Sequence, residues 1–149
     1  MEVKLETANI KLLDTLYRIE EQCFSEEAFT RRQIAYLLTD YNTIALVAKV
    51  NTDVAGFIIA QIETDDTEFG HIITINVATS YRRKSIGSKL LQEVESLMRQ
   101  RGIRECRLEV REDNSAAIKL YHKFGYQTQG KLERYYGKKH GLYLTKALQ

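Results

Sequence analysis

The densest chemistry in this chain lies at Arg82-Arg83-Lys84-Ser85-Ile86-Gly87-Ser88-Lys89, where four cations flank three small residues. Residues 70–78 before it read as a strand and residues 85–101 as a helix, so the run is a strand-to-helix turn. Successive amides at a helix start, backed by the helix dipole, bind phosphate oxygens. Ser85, Gly87 and Ser88 let an anion approach the main chain, and Arg82, Arg83, Lys84 and Lys89 add fixed charge. This is no Walker A loop, since the leading glycine is missing and Gly87-Ser88-Lys89 reverses the required order. Nor is it a Gly-x-Gly-x-x-Gly dinucleotide turn. From these residues alone two readings stand: a phosphate-binding turn, or a solvated basic helix start.

A second candidate is Glu109. Across residues 104–110, Cys106, Leu108 and Val110 alternate with Arg107, Glu109 and Arg111, so Glu109 faces away from the apolar side. A carboxylate there is either functional or paired with Arg107 or Arg111. Cys23 and Cys106 match no metal-ligand or redox spacing, and both read as small core residues. No His/Cys/Asp cluster has the spacing of metal ligands, so no metal is expected.

The elements that must position these groups follow from periodicity. Residues 3–7 alternate as a short strand. Ile10, Leu13, Leu16, Tyr17 and Cys23 recur at helical spacing, with Asn9 or Thr7 as cap. Thr30-Arg31-Arg32-Gln33 is a capping box, opening a helix whose buried stripe is Ile34, Leu37 and Leu38. Residues 43–50, 54–63 and 68–78 are rich in β-branched and apolar residues and separated by short turns, which predicts an antiparallel meander. The strongest helix, about 85–101, buries Ile86, Leu90, Leu91, Val94, Leu97 and Met98, and Gly102 stands where a helix C′ glycine belongs. A strand (104–110), a short helix (114–124, ending at Gly125) and two strands (126–134, 141–148) complete the order β-α-α-β-β-β-α-β-α-β-β. That order predicts one α/β domain over residues 1–149, a mixed sheet flanked by helices, with one strand–helix–strand crossover at 70–110.

Composition excludes several classes. At 149 residues, with 44% hydrophobic and 28% charged side chains, the chain is an ordinary globular domain. Its 22 basic and 20 acidic residues nearly cancel, unlike a dedicated nucleic-acid binder. The amino terminus has no apolar signal segment. The longest apolar run, residues 54–60, is far below the roughly 20 residues of a membrane span. A cytoplasmic protein bound to neither nucleic acid nor membrane is expected, as monomer or homodimer.

Tyr81-Arg82-Arg83-Lys84-Ser85-Ile86-Gly87 resembles the Arg/Gln-x-x-Gly-x-Gly/Ala signature with which GNAT-superfamily N-acetyltransferases grip the coenzyme A pyrophosphate. Ser85 stands where the first glycine belongs, which a serine tolerates at negative φ. Leu108-Glu109-Val110-Arg111, Asn114, Ala117-Ile118, Leu120-Tyr121 and Gly125-Tyr126 resemble the matching segment of the ribosomal-protein alanine and protein N-terminal acetyltransferases. Gly70-His71-Ile72 through Val77 is similar to their central strand, and Arg134-Tyr135-Tyr136-Gly137 to their paired-tyrosine loop.

The resemblance implies an acetyl-coenzyme A-dependent N-acetyltransferase of GNAT fold, with a protein or peptide N-terminal amine as the foremost acceptor. It implies Glu109 as general base through a water, and Tyr121 as general acid toward the departing thiolate. The alternative for Tyr121 is a ring in the core with its hydroxyl in water. Coenzyme A would be held by Arg82, Arg83, Lys84, Ser85, Ile86, Gly87, Ser88 and Asn114, by backbone groups of Ile75 and Val77, and by Tyr121. Asn114 also reads simply as a helix cap. His71, opening the central strand, either assists deprotonation or is structural. Phe24, Phe29, Tyr135 and Tyr136 would wall the acceptor groove between residues 24–31 and 133–141, with core packing the alternative for both phenylalanines. Where relatives carry acidic residues after the tyrosines, this chain has Gly137-Lys138-Lys139-His140. Either the acceptor carries negative charge near its amine, or it is not a protein N-terminus, or these residues are simply a solvated turn. A lysine side chain, a polyamine or another small amine is the alternative acceptor; a non-catalytic acyl-coenzyme A sensor is the alternative of another class.

Overall fold

The computed structural model describes residues 2–149. Strand β1 (Val3–Thr7) leads to Asn9, whose side chain accepts from the Lys11 amide at 2.9 Å. That cap opens a 3-10 turn (Ile10–Leu12), and helix α1 (Leu13–Phe24) follows, so the first turn of the expected helix is wound more tightly. Helix α2 (Arg31–Thr39) starts at the expected capping box: the Gln33 amide donates to Thr30 Oγ1 at 3.1 Å, and the Thr30 amide to Gln33 Oε1 at 2.8 Å. The meander β2 (Thr43–Val50), β3 (Asp53–Thr64) and β4 (Glu68–Val77) forms as its sequence requires. Helix α3 (Ile86–Gln100), β5 (Glu105–Arg111), α4 (Ser115–Lys123), β6 (Gln127–Tyr136) and β7 (Lys139–Ala147) complete the expected order.

The seven strands lie in the order β1-β2-β3-β4-β5-β7-β6, antiparallel throughout except for β4 beside β5. Alternation along the strands feeds two cores. Leu46, Ala48, Ile58 and Ala60 pack with Leu90, Leu91, Val94 and Met98 of α3 and Tyr121 of α4. Ala45, Val47, Phe57 and Ile59 pack with Leu13, Leu16 and Ile19 of α1 and Ile34 and Leu37 of α2. Each fully buried aliphatic contributes about 1.5–3 kcal/mol, so both faces of the sheet are firmly held.

One seam is open. β4 pairs with β5 only from Gly70 to Ile72, against Cys106 to Leu108. On its other side β4 carries a bulge: Ala60 faces Ile72 and Ile59 faces Thr74, leaving Ile73 as the extra residue. A bulge bends its strand and raises the local twist. The bend falls where β4 parts from β5, so the two strands diverge into a cleft. No helix among the described residues is long and apolar enough to cross a membrane.

Candidate active site

The cleft between the diverging strands is a cavity of about 310 Å³. Ile72–Ile75 form one wall and Leu108–Arg111 the other; Glu20, Cys23, Phe24 and Phe29 close one end, and Asn114, Ala117, Tyr121, Tyr135 and Tyr136 the other. The bulge also sorts the side chains of β4. Ile72, Ile75 and Val77 join the α3/α4 core, Ile73 joins the α1/α2 core, and Thr74 and Asn76 bond to Glu20 of α1. Because Ala78 donates to Ala55 of β3, the alternate backbone groups of Ile75 and Val77 point away from β3, toward the cleft.

Glu109 and Tyr121 lie on opposite faces of the sheet yet line the same cavity. Glu109 is not paired with either neighbouring arginine. Arg107 bonds to Glu105 and Asp65, and Arg111 to Glu27 (2.6 Å) and Asp113 (2.5 Å). Its partner is His71, whose Nε2 lies 2.7 Å from Glu109 Oε1 while Nδ1 lies 2.5 Å from Glu63 Oε2. Burial acts most strongly on His71, and downward. The hydrogen bonds and charges of Glu109 and then Glu63 together outweigh it, so His71 titrates above its ordinary value. Tyr121 is buried, its ring edge-on to Tyr126 at 5.7 Å. Burial pushes its phenol well above the ordinary value, which keeps a proton on Oη. Asn114 caps α4, accepting from the Ala117 amide at 3.2 Å, and also lines the cavity.

The basic turn lies past the end of β4 and starts α3. Here the sequence expectation needs correction: Ser85 is not at negative φ but at φ 62°, ψ 20°, in the left-handed region, and Arg83 joins it at φ 64°. The Ser85 side chain makes no cap; only its carbonyl engages, accepting from the Lys89 amide at 3.1 Å. The amides of Ile86, Gly87 and Ser88, as first-turn groups, have no intrahelical acceptor. At Gly87 an added Cβ would meet ordinary van der Waals contacts, 3.6 Å from Leu120 and 3.7 Å from Val77. Arg82 of the turn is engaged within the protein. Its guanidinium folds back, Nε donating to the Val77 carbonyl at 3.2 Å and Nη2 to Cys23 Sγ at 3.5 Å. Cys23 packs against the α1/α2 core as expected but is only half-buried, and it also lines the cavity wall beside Arg82 and Val77.

On the acceptor side, Phe24, Phe29, Tyr135 and Tyr136 all line the cavity, and the two tyrosines meet edge-on at 4.9 Å. Burial, followed by the charge of Glu109, raises the Tyr135 phenol; burial, followed by Tyr135 and then Glu109, raises that of Tyr136. A groove of about 560 Å³ continues outward past Phe29, Ile73, His71, Glu109 and Tyr135 to Arg32, Gln33, Tyr36 and Leu37 of α2. The basic hairpin is partly spoken for. Lys139 lies 3.6 Å from Asp113, and His140 Nδ1 accepts from the Arg134 amide at 2.9 Å.

Three residues escaped the sequence reading. Glu20 is 1% exposed and accepts from Thr74 (2.8 Å), Asn76 (3.1 Å) and the Phe29 amide (3.2 Å). Burial raises its carboxyl above the ordinary value against the pull of those donors. Its signal was present, since residue 20 falls on the apolar stripe of α1. Glu63 and Glu27 gave none, because each meets its partner only across strands or loops.

Against proteins already known, residues 12–126 match the acetyltransferase (GNAT) family. An N-alpha-acetyltransferase of Sulfurisphaera tokodaii is 35% identical over 120 residues, 74% of this chain and 72% of that protein. A candidate ribosomal protein bS18-alanine N-acetyltransferase of Bacillus subtilis is 30% identical over 138 residues, 91% of this chain and 89% of that protein. Among solved structures, Ard1 from Thermoplasma volcanium superposes with a TM-score of 0.90 at 26% identity, covering 100% of this chain and 99% of its own.

Proposed function

The chain belongs to the GNAT acetyltransferase family and is an acetyl-coenzyme A-dependent N-acetyltransferase, and from that premise we propose that it acetylates protein or peptide N-terminal α-amines with Glu109 as base and Tyr121 as acid. The observation that carries this reading is that Glu109 and Tyr121, from opposite faces of the sheet, line one cavity opened by the β4 bulge. The N-alpha-acetyltransferase relatives favour the acceptor class.

Acetyl-coenzyme A, when bound, supplies an acetyl thioester that passes its acetyl group to the amine as the thiol departs. The turn suits its pyrophosphate, since three first-turn amides have no intrahelical acceptor and the exposed Arg83 and Lys84 stand beside them. The Ile75 backbone would pair with the pantetheine arm as an added strand does, and an amide of that strand would serve as oxyanion donor. Asn114 and Tyr121 would line the arm's inner end. Glu109 takes the amine proton through a water at Oε2, because Oε1 is occupied by His71. Tyr121 holds its proton at Oη on the opposite face, toward the departing sulfur. Phe24, Phe29, Tyr135 and Tyr136 shape the path of the acceptor.

The test follows thiol release from acetyl-coenzyme A with N-terminal peptides, lysine peptides and polyamines, beside Glu109→Gln and Tyr121→Phe. Turnover confined to N-terminal peptides, with kcat reduced about 10²–10⁴-fold in each variant and coenzyme A binding retained, is the expected result. Turnover of lysine peptides or polyamines instead moves the acceptor class. Binding without turnover across the panel means a sensor.

A further inference from the structure

Glu63, His71 and Glu109 form a continuous row across three adjacent strands. His71 of β4 lies opposite Gln61 of β3 and Arg107 of β5, and each carboxylate stands two residues beyond those partners. The imidazole is held from both sides, at 2.5 Å by Glu63 and 2.7 Å by Glu109. Two carboxylates at hydrogen-bond distance require two N–H donors, and a neutral imidazole has only one. The doubly protonated ring is the state that satisfies both.

We propose that Glu63 and His71 are positioning residues for acetyl transfer: Glu63 keeps His71 an imidazolium, and His71 in turn occupies Oε1 of Glu109 and leaves Oε2 alone free for the incoming proton. The proposal rests on Glu109 being the base.

The surroundings leave this role to His71. Arg107, its register partner, is bound to Glu105 and Asp65, with its guanidinium 3.8 Å from the Phe69 ring centre. Tyr135 lines the same groove, and Tyr143 of β7 sits opposite Glu109, both phenols raised chiefly by burial. On α2, Arg32 at the groove's outer end is the other cation, and it is exposed. His71 is 21% exposed and Glu109 19%, so their pairing is sheltered from solvent, while Glu63 at 39% connects the row to water. The upward titration of His71 agrees with this arrangement.

The test separates charge from hydrogen bonding. His71→Gln keeps an amide N–H where Nε2 stands but carries no charge; Glu63→Gln removes one carboxylate and leaves the ring. The ratio of variant to wild-type kcat/KM is followed from about pH 9 down to about pH 5, which cancels the ionisation of the acceptor. The imidazolium donates a charge-assisted bond to each carboxylate, about twice as strong as a neutral one, whereas the neutral ring can donate to only one of them. The ratio for His71→Gln is therefore expected near one at the alkaline end, where the wild-type ring is neutral too, and about threefold or more lower at the acid end, where the stronger bond of the imidazolium is missing. In Glu63→Gln the ring protons of His71, assigned by their loss in His71→Gln, should titrate about one unit lower by NMR. A ratio independent of pH, or an unmoved His71 titration in Glu63→Gln, overturns the proposal while an inactive Glu109→Gln leaves the base in place. Full turnover in Glu109→Gln takes down both readings.

Discussion

Ser85→Val is the sharpest probe of the phosphate turn. Ser85 sits at φ 62°, where an L side chain costs about 1–2 kcal/mol because Cβ crowds the following carbonyl. A β-branched side chain is worse there, by about another 1–2 kcal/mol. The fold does not have to carry that cost, since Arg82 through Ser85 are exposed and can relax out of the left-handed conformation. The amides of Ile86, Gly87 and Ser88 would then lose their common aim. Binding must restore the turn, so coenzyme A affinity should fall about 5–30-fold, at 1.4 kcal/mol per tenfold. The melting temperature without ligand should drop by no more than about 2 °C. Ser85→Gly works in the opposite sense. It removes the steric cost of about 1–2 kcal/mol but adds about 0.4–1 kcal/mol of unfolded-chain freedom, leaving a net gain between zero and about 1.6 kcal/mol. Its coenzyme A affinity should equal or modestly exceed wild type. Titration calorimetry of the three proteins decides the matter. A valine variant binding coenzyme A as tightly as wild type would refute the assignment of this turn to the pyrophosphate.

Three further outcomes are expected. Glu20 has a raised carboxyl pKa, so its contribution favours the fold at low pH and is lost as pH rises from the ordinary value near 4.5 through the folded one. Urea denaturation should show that loss in wild type and a flatter profile in Glu20→Gln; parallel profiles would contradict the burial argument. In Gly56→Ala the new Cβ would lie 2.5 Å from the Asn76 carbonyl oxygen and 3.3 Å from Val77 Cα, both main chain. Overpacking of about 1–3 kcal/mol should lower the melting temperature by about 2–12 °C. Gly70→Ala, which presses on the flexible Met98 side chain, should lose less, and equal losses in calorimetry would count against the distinction. Finally, Arg32 lines the outer groove and Lys138 stands at the hairpin tip, so peptides with glutamate behind the accepting residue should be acetylated about 2–5-fold faster than their lysine counterparts. Arg32→Glu should reverse that preference; an unchanged preference would remove Arg32 from acceptor recognition.

The sequence by itself determined what depends on neighbours along the chain. The capping box at Thr30, the six-residue stripe of α3, the C′ glycine Gly102 at φ 79° and the alternation around Glu109 are each properties of a few consecutive residues, and all were legible. So were the order of elements and the family, whose motifs are local. The tertiary structure decided what depends on strand register and backbone curvature. Nothing in residues 68–77 announces that Ile73 is a bulge, because a bulge is a mismatch with β3 and not a feature of β4 alone. That one extra residue parts β4 from β5, and the parting lets a base and a phenol from opposite faces meet one cavity. Glu63 joins His71 and Glu109 only through diagonal neighbours on three strands, a relation that residue types cannot encode. The left-handed Ser85 runs against its own residue preference, so its residue type could not announce it. Local periodicity specifies faces, whereas distances between faces arise only when the sheet twists, bulges and splits.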